Sequence, residues 1–255
     1  MFTIGADPEL FIRNKYTNKY KSAVGLITGT KDKPTPIDEK GHAYQVDNVA
    51  VEFNIAPANS LQAFRSSIHM VLDYLRQKLP DYDFSKDSAV SFPEEELKTP
   101  EALLFGCEPD YDAWNMIENK KPNALDPNLR SCGGHIHVGS DIAINHPVAV
   151  VRALDLYLGV PSVHLDNGVL RRQLYGKAGS FRFKPYGAEY RTLSNFWIFD
   201  DSLIEWAYNG TQQALAFVSE NKEISDKDGH LIQQCINTGD KHAADSLAKA
   251  YQLNW

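Results

Sequence analysis

Three segments that read as β-strands carry polar side chains two residues apart, where an ordinary half-buried strand would carry apolar ones. SCGGHIHVG sets His135 and His137 behind Gly133 and Gly134, GADPELFI sets Asp7 and Glu9, and GAEYRTLSNFW sets Glu189 and Arg191. Successive side chains of a strand point to opposite faces, so the two members of each pair share one face about 7 Å apart. Two imidazoles so placed can serve one ion or one polyphosphate. The repetition of the pattern is the main functional signal.

With 255 residues, 43% of them hydrophobic, the chain is long enough to bury a large core and suits a single domain, 1–255, better than two small ones. A net charge of −7 and no basic tail argue against nucleic acid or an anionic membrane as the main partner, while a nucleotide held by a few local arginines stays compatible. The start, MFTIGADPEL, lacks a basic and apolar leader, and no later segment reaches the roughly 18 uncharged apolar residues of a membrane span. Cys107, Cys132 and Cys235 form no paired CxxC spacing, so neither a disulfide framework nor a thiolate zinc site is expected. A reducing cytoplasm suits this composition.

Along the chain, Thr3 to Ile12 reads as a strand, followed by a turn over Asn14 to Asn18 and a second strand over Lys19 to Leu26. Thr28 to Gly41 is polar and broken by Gly29, Pro34 and Pro36, which predicts a loop beside the site and a candidate lid. Ala43 to Ile55 alternates as one long strand. After Pro57, Asn59 or Ser60 caps a helix with Leu61, Phe64, Ile68, Val71, Leu72, Leu75 and Leu79 on one face. Weaker signals predict a strand at Ala89 to Phe92, a short helix near Pro100 to Phe105, and a solvated helix start at Glu94 to Glu96. Strand 131–139 precedes helices at roughly Pro147 to Leu158 and Pro161 to Leu174, Glu189 to Leu193 is a further strand, and the pattern from about residue 200 is helical. Hairpin-separated strands followed by grouped helices predict an α+β fold with a mostly antiparallel sheet backed by helices.

Asp7 and Glu9 project from one face of the first strand, and Glu52 projects from the third with Asn54 beside it as a candidate substrate contact. A concave antiparallel sheet would gather these carboxylates with His135 and Glu189. An oxygen-rich set with one or two imidazoles favours Mg²⁺ or Mn²⁺, in a site where two ions about 4 Å apart can bridge phosphate oxygens. For Asp7 alone, followed by Pro8, a surface salt bridge is an equal reading. Positive charge concentrates in LRRQLYGKAGSFRFKPYGAEYR, which holds Arg171, Arg172, Lys177, Arg182, Lys184 and Arg191. Arginine forks grip phosphate oxygens and stay ionised, so the segment is a candidate phosphate clamp led by Arg182 and Arg191. A basic loop that pairs with the chain's excess acid is the alternative.

In order, GADPE, DNVAVEFN, SCGGHIHVG, YGKAGSFRFKPYG and EYR resemble the motif series of the carboxylate-amine ligases of the glutamine synthetase-like superfamily. The phage-type amidoligases are the nearest match and the glutamate-cysteine ligases a more distant one. The resemblance runs from about Gly5 to Phe196. It implies a curved, mostly antiparallel catalytic sheet and an ATP-dependent reaction through an acyl phosphate, with Mg²⁺ or Mn²⁺ between the triphosphate and the acceptor carboxylate. On this pattern Asp7, Glu9, Glu52 and His135 are metal ligands and Glu189 completes a second metal site. His137 lies nearer the nucleotide phosphates, and Arg182 and Arg191 meet the transferred phosphate or a substrate carboxylate; the basic segment adds Arg171, Arg172 and Lys184 as candidate nucleotide contacts. Gly133 and Gly134 let the backbone approach substrate. Asp7 stands where relatives often carry glutamate, and Asp47 with Glu52 replaces a glutamate pair. The partners implied are small-molecule or peptide carboxylates and amines, without nucleic acid or membrane. A homo-oligomer is left open, and the setting is cytoplasmic, the host's for a phage protein.

Two other classes remain compatible with the residues. A metal-dependent hydrolase or oxygenase would use His135, His137 and one carboxylate as a facial triad. A non-catalytic nucleotide-binding module would keep the pocket without turnover.

Overall fold

In the structure, a computed structural model that describes residues 1–103, 110–120 and 126–253, nine strands form one antiparallel sheet that does not close into a barrel. In chain order they are β1 (Thr3–Leu10), β2 (Thr35–Pro36), β3 (Ala43–Asp47), β4 (Ala50–Asn54), β5 (Tyr111–Asp112), β6 (Ile117–Glu118), β7 (Gly134–Gly139), β8 (Ser180–Lys184) and β9 (Gly187–Tyr190). Across the sheet they run β6-β5-β8-β9-β7-β1-β4-β3-β2. The α+β class read from the sequence is the class observed.

Alternation along the central strands fixes which face meets the core. Ile4, Ala6 and Leu10 of β1, Val51 and Phe53 of β4, and Ile136 and Val138 of β7 are all buried. They share one cluster with Phe64, Ile68, Val71, Leu72 and Leu75 of helix Leu61–Lys78, capped by the Ser60 hydroxyl, which accepts from the Ala63 N–H. Helices Pro147–Leu154 and Asp201–Ser219 add Val150, Val151, Ile204 and Ala207 to the same core. The Phe64 ring stacks on Trp197 at 5.8 Å between centroids. One face of the sheet is thus committed to helices and the other is left for polar side chains.

Several boundaries differ from the sequence reading. The long strand 43–55 is a hairpin of β3 and β4, turned at Asn48, whose φ of 57° is a left-handed conformation that asparagine tolerates. The predicted strand at 19–26 shrinks to Tyr20–Lys21, which joins Ile12–Asn14 and Tyr82–Phe84 in a small separate sheet. Strand 131–139 is interrupted at Cys132 and Gly133: Leu129–Ser131 pairs with Ala89–Ser91, and only β7 enters the large sheet. The basic segment is no loop, since β8 and β9 form a hairpin through it.

Pro161 does not begin a new helix. An α-segment at Pro147–Leu154 runs through a π-turn at Asp155–Gly159 into Val160–Leu165. Val160 N–H reaches back to the Asp155 carbonyl, and this wider turn accommodates the donor that Pro161 lacks. This 19-residue helix is long and apolar enough to cross a membrane, but it carries Arg152 and Asp155 and 67% of it is buried inside the protein. It is a core helix. The helical C-terminal part comprises Asp201–Ser219, Asp226–Thr238 and Lys241–Tyr251. Of the cysteines, Cys132 and Cys235 are buried and free, whereas Cys107 lies outside the described residues, as does the end of the helix expected up to Phe105.

Candidate active site

The register of the sheet brings the polar pairs side by side. Arg182 of β8 faces Glu189 of β9, and Glu189 faces His137 of β7. His135 faces Asp7 of β1, while Glu9 faces Glu52 of β4, which faces Gln45 of β3. Because side chains alternate, Lys184, Arg191, Asn54 and Asp47 fall on the same face, two residues from these partners. All twelve line one cleft, together with Lys31 and Pro34 of the 28–41 segment. Val51 and Phe53, the apolar neighbours of Glu52 in sequence, point to the opposite face.

One half of the cleft is rich in cations. Glu189 has no solvent exposure. One of its oxygens contacts Arg191 Nη1 and lies 3.4 Å from Arg182 Nη1, and the other lies 2.7 Å from Lys184 Nζ. Burial and the Asp7 charge oppose ionisation of Glu189, but Arg191 and the two histidines outweigh them and hold its pKa at about 2. Asp7 Oδ1 lies 3.2 Å from His135 Nδ1 and 3.0 Å from His137 Nε2. Despite burial, these imidazoles hold the Asp7 carboxyl well below its ordinary value.

The two histidines are not equivalent. Burial and the Arg191 charge push His135 down to about 4, a neutral ring at physiological pH. For His137, burial is overcome by Asp7 and the pKa rises. Its Nδ1 faces the Tyr186 hydroxyl, which orients the ring and leaves Nε2 directed at Asp7. Asp7, His137 and Glu189 offer ligand atoms within 4.8 Å of one another. The imidazole of this group is therefore that of His137, whereas His135 turns its Nδ1 to Asp7 and Arg191.

The other half is acidic. Glu9, Asp47 and Glu52 also offer ligand atoms within 4.8 Å of one another. Glu9 accepts the Gly133 N–H at 2.6 Å. Burial first, and then Asp47, lifts Glu9 to about pKa 7. Burial first, and then the Asp7, Asp47 and Glu9 charges, drives Glu52 well above its usual range. Gln45 is 3% exposed, and its Oε1 has no hydrogen-bond partner among the described residues. Three crowded carboxylates and an unsatisfied amide oxygen are hard oxygen donors of the kind that suits Mg²⁺ or Mn²⁺. Protonation of Glu9 and Glu52 is the alternative way to relieve their repulsion.

Four residues singled out in the sequence lie behind the cleft. Arg171 donates from Nη1 to the Thr192 carbonyl at 2.7 Å and from Nη2 to the Arg191 carbonyl, and Arg172 donates to the Ser162 carbonyl at 2.9 Å. Both guanidinium groups are buried and serve the backbone. Gly133 anchors Glu9 through its N–H, and a Cβ on Gly134 would meet the Ser194 carbonyl at 2.3 Å. Close packing of protein on protein is thus sufficient reason for that glycine. Sequence reasoning missed Gln45 and Lys31, and also Asp110, whose carboxylate lies 3.6 Å from Arg191 Nε. Gln45 and Asp47 have the same two-residue spacing as the recognised pairs, hidden because alternation beside a turn also describes a solvent face.

Comparison with known families bears on the general chemistry. Residues 127–236 match the family Phage phiEco32-like COOH.NH2 ligase-type 2. This is the phage-type carboxylate-amine ligase family that the motif order resembles. Its name indicates an enzyme that joins a carboxylate to an amine. The part matching this ligase family contains β7, β8 and β9 with His135, His137, Arg182, Glu189 and Arg191, while the acidic strands β1, β3 and β4 lie outside it and are joined to it by register. No curated protein matches the chain.

Proposed function

We propose that this chain is an ATP-dependent ligase that forms an amide or peptide bond through an acyl-phosphate intermediate. The observation that carries the reading is one cleft in which an acidic triad adjoins an arginine- and lysine-rich wall on the same face of one sheet. A free carboxylate resists attack by an amine because it is anionic and resonance-stabilised. Transfer of the γ-phosphoryl group of ATP to a carboxylate oxygen releases ADP and gives an acyl phosphate. The amine then attacks the acyl carbon, and phosphate leaves.

In this reading Glu9, Asp47 and Glu52 hold a divalent ion, which when bound neutralises phosphate charge. Arg182 and Arg191 face the transferred phosphoryl group, and Glu189 holds both guanidinium groups in place. Lys31 and Pro34 border the cleft from the 28–41 segment and limit access of water to the acyl phosphate. The substrates are small or peptide carboxylates and amines, and the setting is a reducing cytoplasm, the host's for a phage protein.

The hydrolase or oxygenase reading needs two imidazoles and a carboxylate about one point. Among the described residues, the two groups able to share an ion contain at most one imidazole each. Calorimetric titration of a non-hydrolysable ATP analogue into metal-stripped protein tests the proposal. Binding that requires Mg²⁺ and is lost in Glu9→Gln supports it. Absence of binding in every condition overturns it.

A further inference from the structure

The two halves of the cleft are unequal hosts for a cation. Around Asp7 and Glu189, Arg182, Lys184 and Arg191 already supply three fixed positive charges, with Asp110 beside Arg191 as a third carboxylate, and all three cations contact Glu189. Lys184 Nζ lies 2.7 Å from Glu189 Oε2 and Arg191 Nη1 contacts Oε1, so both oxygens of the carboxylate that an ion would share with Asp7 and His137 already meet a cation. A dication there would have to displace or repel cations that already neutralise the carboxylates. Around Glu9, Asp47 and Glu52 no lysine or arginine lies within salt-bridge distance among the described residues, and the buried Gln45 Oε1 adds an unpartnered donor atom.

We propose that the Lys184 ammonium acts as a tethered monovalent cation in the place of a second metal ion. The cleft without nucleotide then takes one divalent ion, at Glu9, Asp47 and Glu52. Lys184 is suited to this role by its position. It ends β8 on the strand next to Glu189, its side chain is 27% exposed, and its four-carbon stem lets the ammonium reach the carboxylate from the rim. The ammonium is a compact point charge without fixed coordination geometry, so it neutralises Glu189 but cannot bridge two phosphate oxygens as a bound ion does. The proposal rests on the ligase reading for the use of the ion, but it concerns how many ions bind.

The test is Mn²⁺ titration of the full-length, metal-stripped protein without nucleotide, with free Mn²⁺ read by electron paramagnetic resonance. The expected stoichiometry is one for the unaltered chain, two for Lys184→Met, and one for Lys184→Arg, which keeps the charge. Glu52→Gln should weaken the single site at least tenfold. Two sites of similar affinity in the unaltered chain, or one site in Lys184→Met, overturns the inference while leaving the ligase reading standing. No site in any variant also overturns the inference, and the ligase reading is judged separately by the nucleotide titration.

Discussion

Glu9 has a pKa of about 7 in the folded chain, against an ordinary value near 4.5, because partial burial and then the nearby Asp47 charge disfavour its ionised form. Between those values the folded protein binds more protons than the unfolded one. The stability contributed by protonated Glu9 is therefore full below pH 4.5 and is lost as pH rises through 7. The loss is on the order of 3 kcal/mol. In urea unfolding of metal-free protein, Glu9→Gln should lose less stability than the unaltered chain between pH 5 and pH 8, by about that amount. Saturating Mg²⁺ should flatten the difference, since an ion takes the place of the proton. Equal slopes for the two proteins would show that Glu9 ionises freely. Glu189 has the opposite sign: its depressed pKa of about 2 gives stability that is present above 4.5 and lost as pH falls through 2.

At the scale of elements, the β8–β9 hairpin owes its position to the π-turn behind it. Asp155 is fully buried and accepts hydrogen bonds from Trp114 Nε1, the Gly179 N–H, the Tyr190 hydroxyl and the Thr192 hydroxyl. Tyr190 lies between Glu189 and Arg191 in sequence, so this anchor on the core side fixes two groups on the cleft side. Asp155→Ala leaves the Trp114, Gly179 and Tyr190 donors unpaired, while Thr192 keeps the Lys177 carbonyl, and should cost more than about 3 kcal/mol, measured by denaturant unfolding. Gly134→Ala forces a Cβ against the fixed Ser194 carbonyl and should cost about 1 to 3 kcal/mol in the same assay. Neither anchor was legible in the sequence. Pro161 read as a helix start because a π-turn leaves no compositional mark, and the Ser180–Lys184 strand was masked by its own basic residues, which suggested a loop. By contrast, the amphipathic period of Leu61–Lys78 with its Ser60 cap, and the paired acids and histidines of β1 and β7, could be read directly. Those signals are local, whereas the Asp155 hub joins residues 24 to 41 positions apart and the β1–β7 register joins residues more than a hundred apart.

For the whole molecule, the 28–41 segment is tied to the sheet on both sides of its tip. The Val46 N–H donates to the Gly29 carbonyl, and β2 pairs with β3, so only the turn at Lys31 to Pro34 reaches over the acidic half of the cleft. Replacing this tip by a short glycine linker should leave folding intact and raise ATP hydrolysis uncoupled from amide formation several-fold, measured as ADP released per amide made. Tight coupling after the replacement would remove the segment's protective role. The six strands that build the cleft also build the core, each giving alternate residues to either purpose. A saturation mutagenesis scan should therefore trace a comb along them: cleft-facing teeth that erase activity at normal cellular abundance, and core-facing teeth between them that erase abundance itself. An insertion of one residue in any of these strands would exchange the teeth, so the lineage of such a sheet can vary its letters freely only where its reading frame of faces is kept.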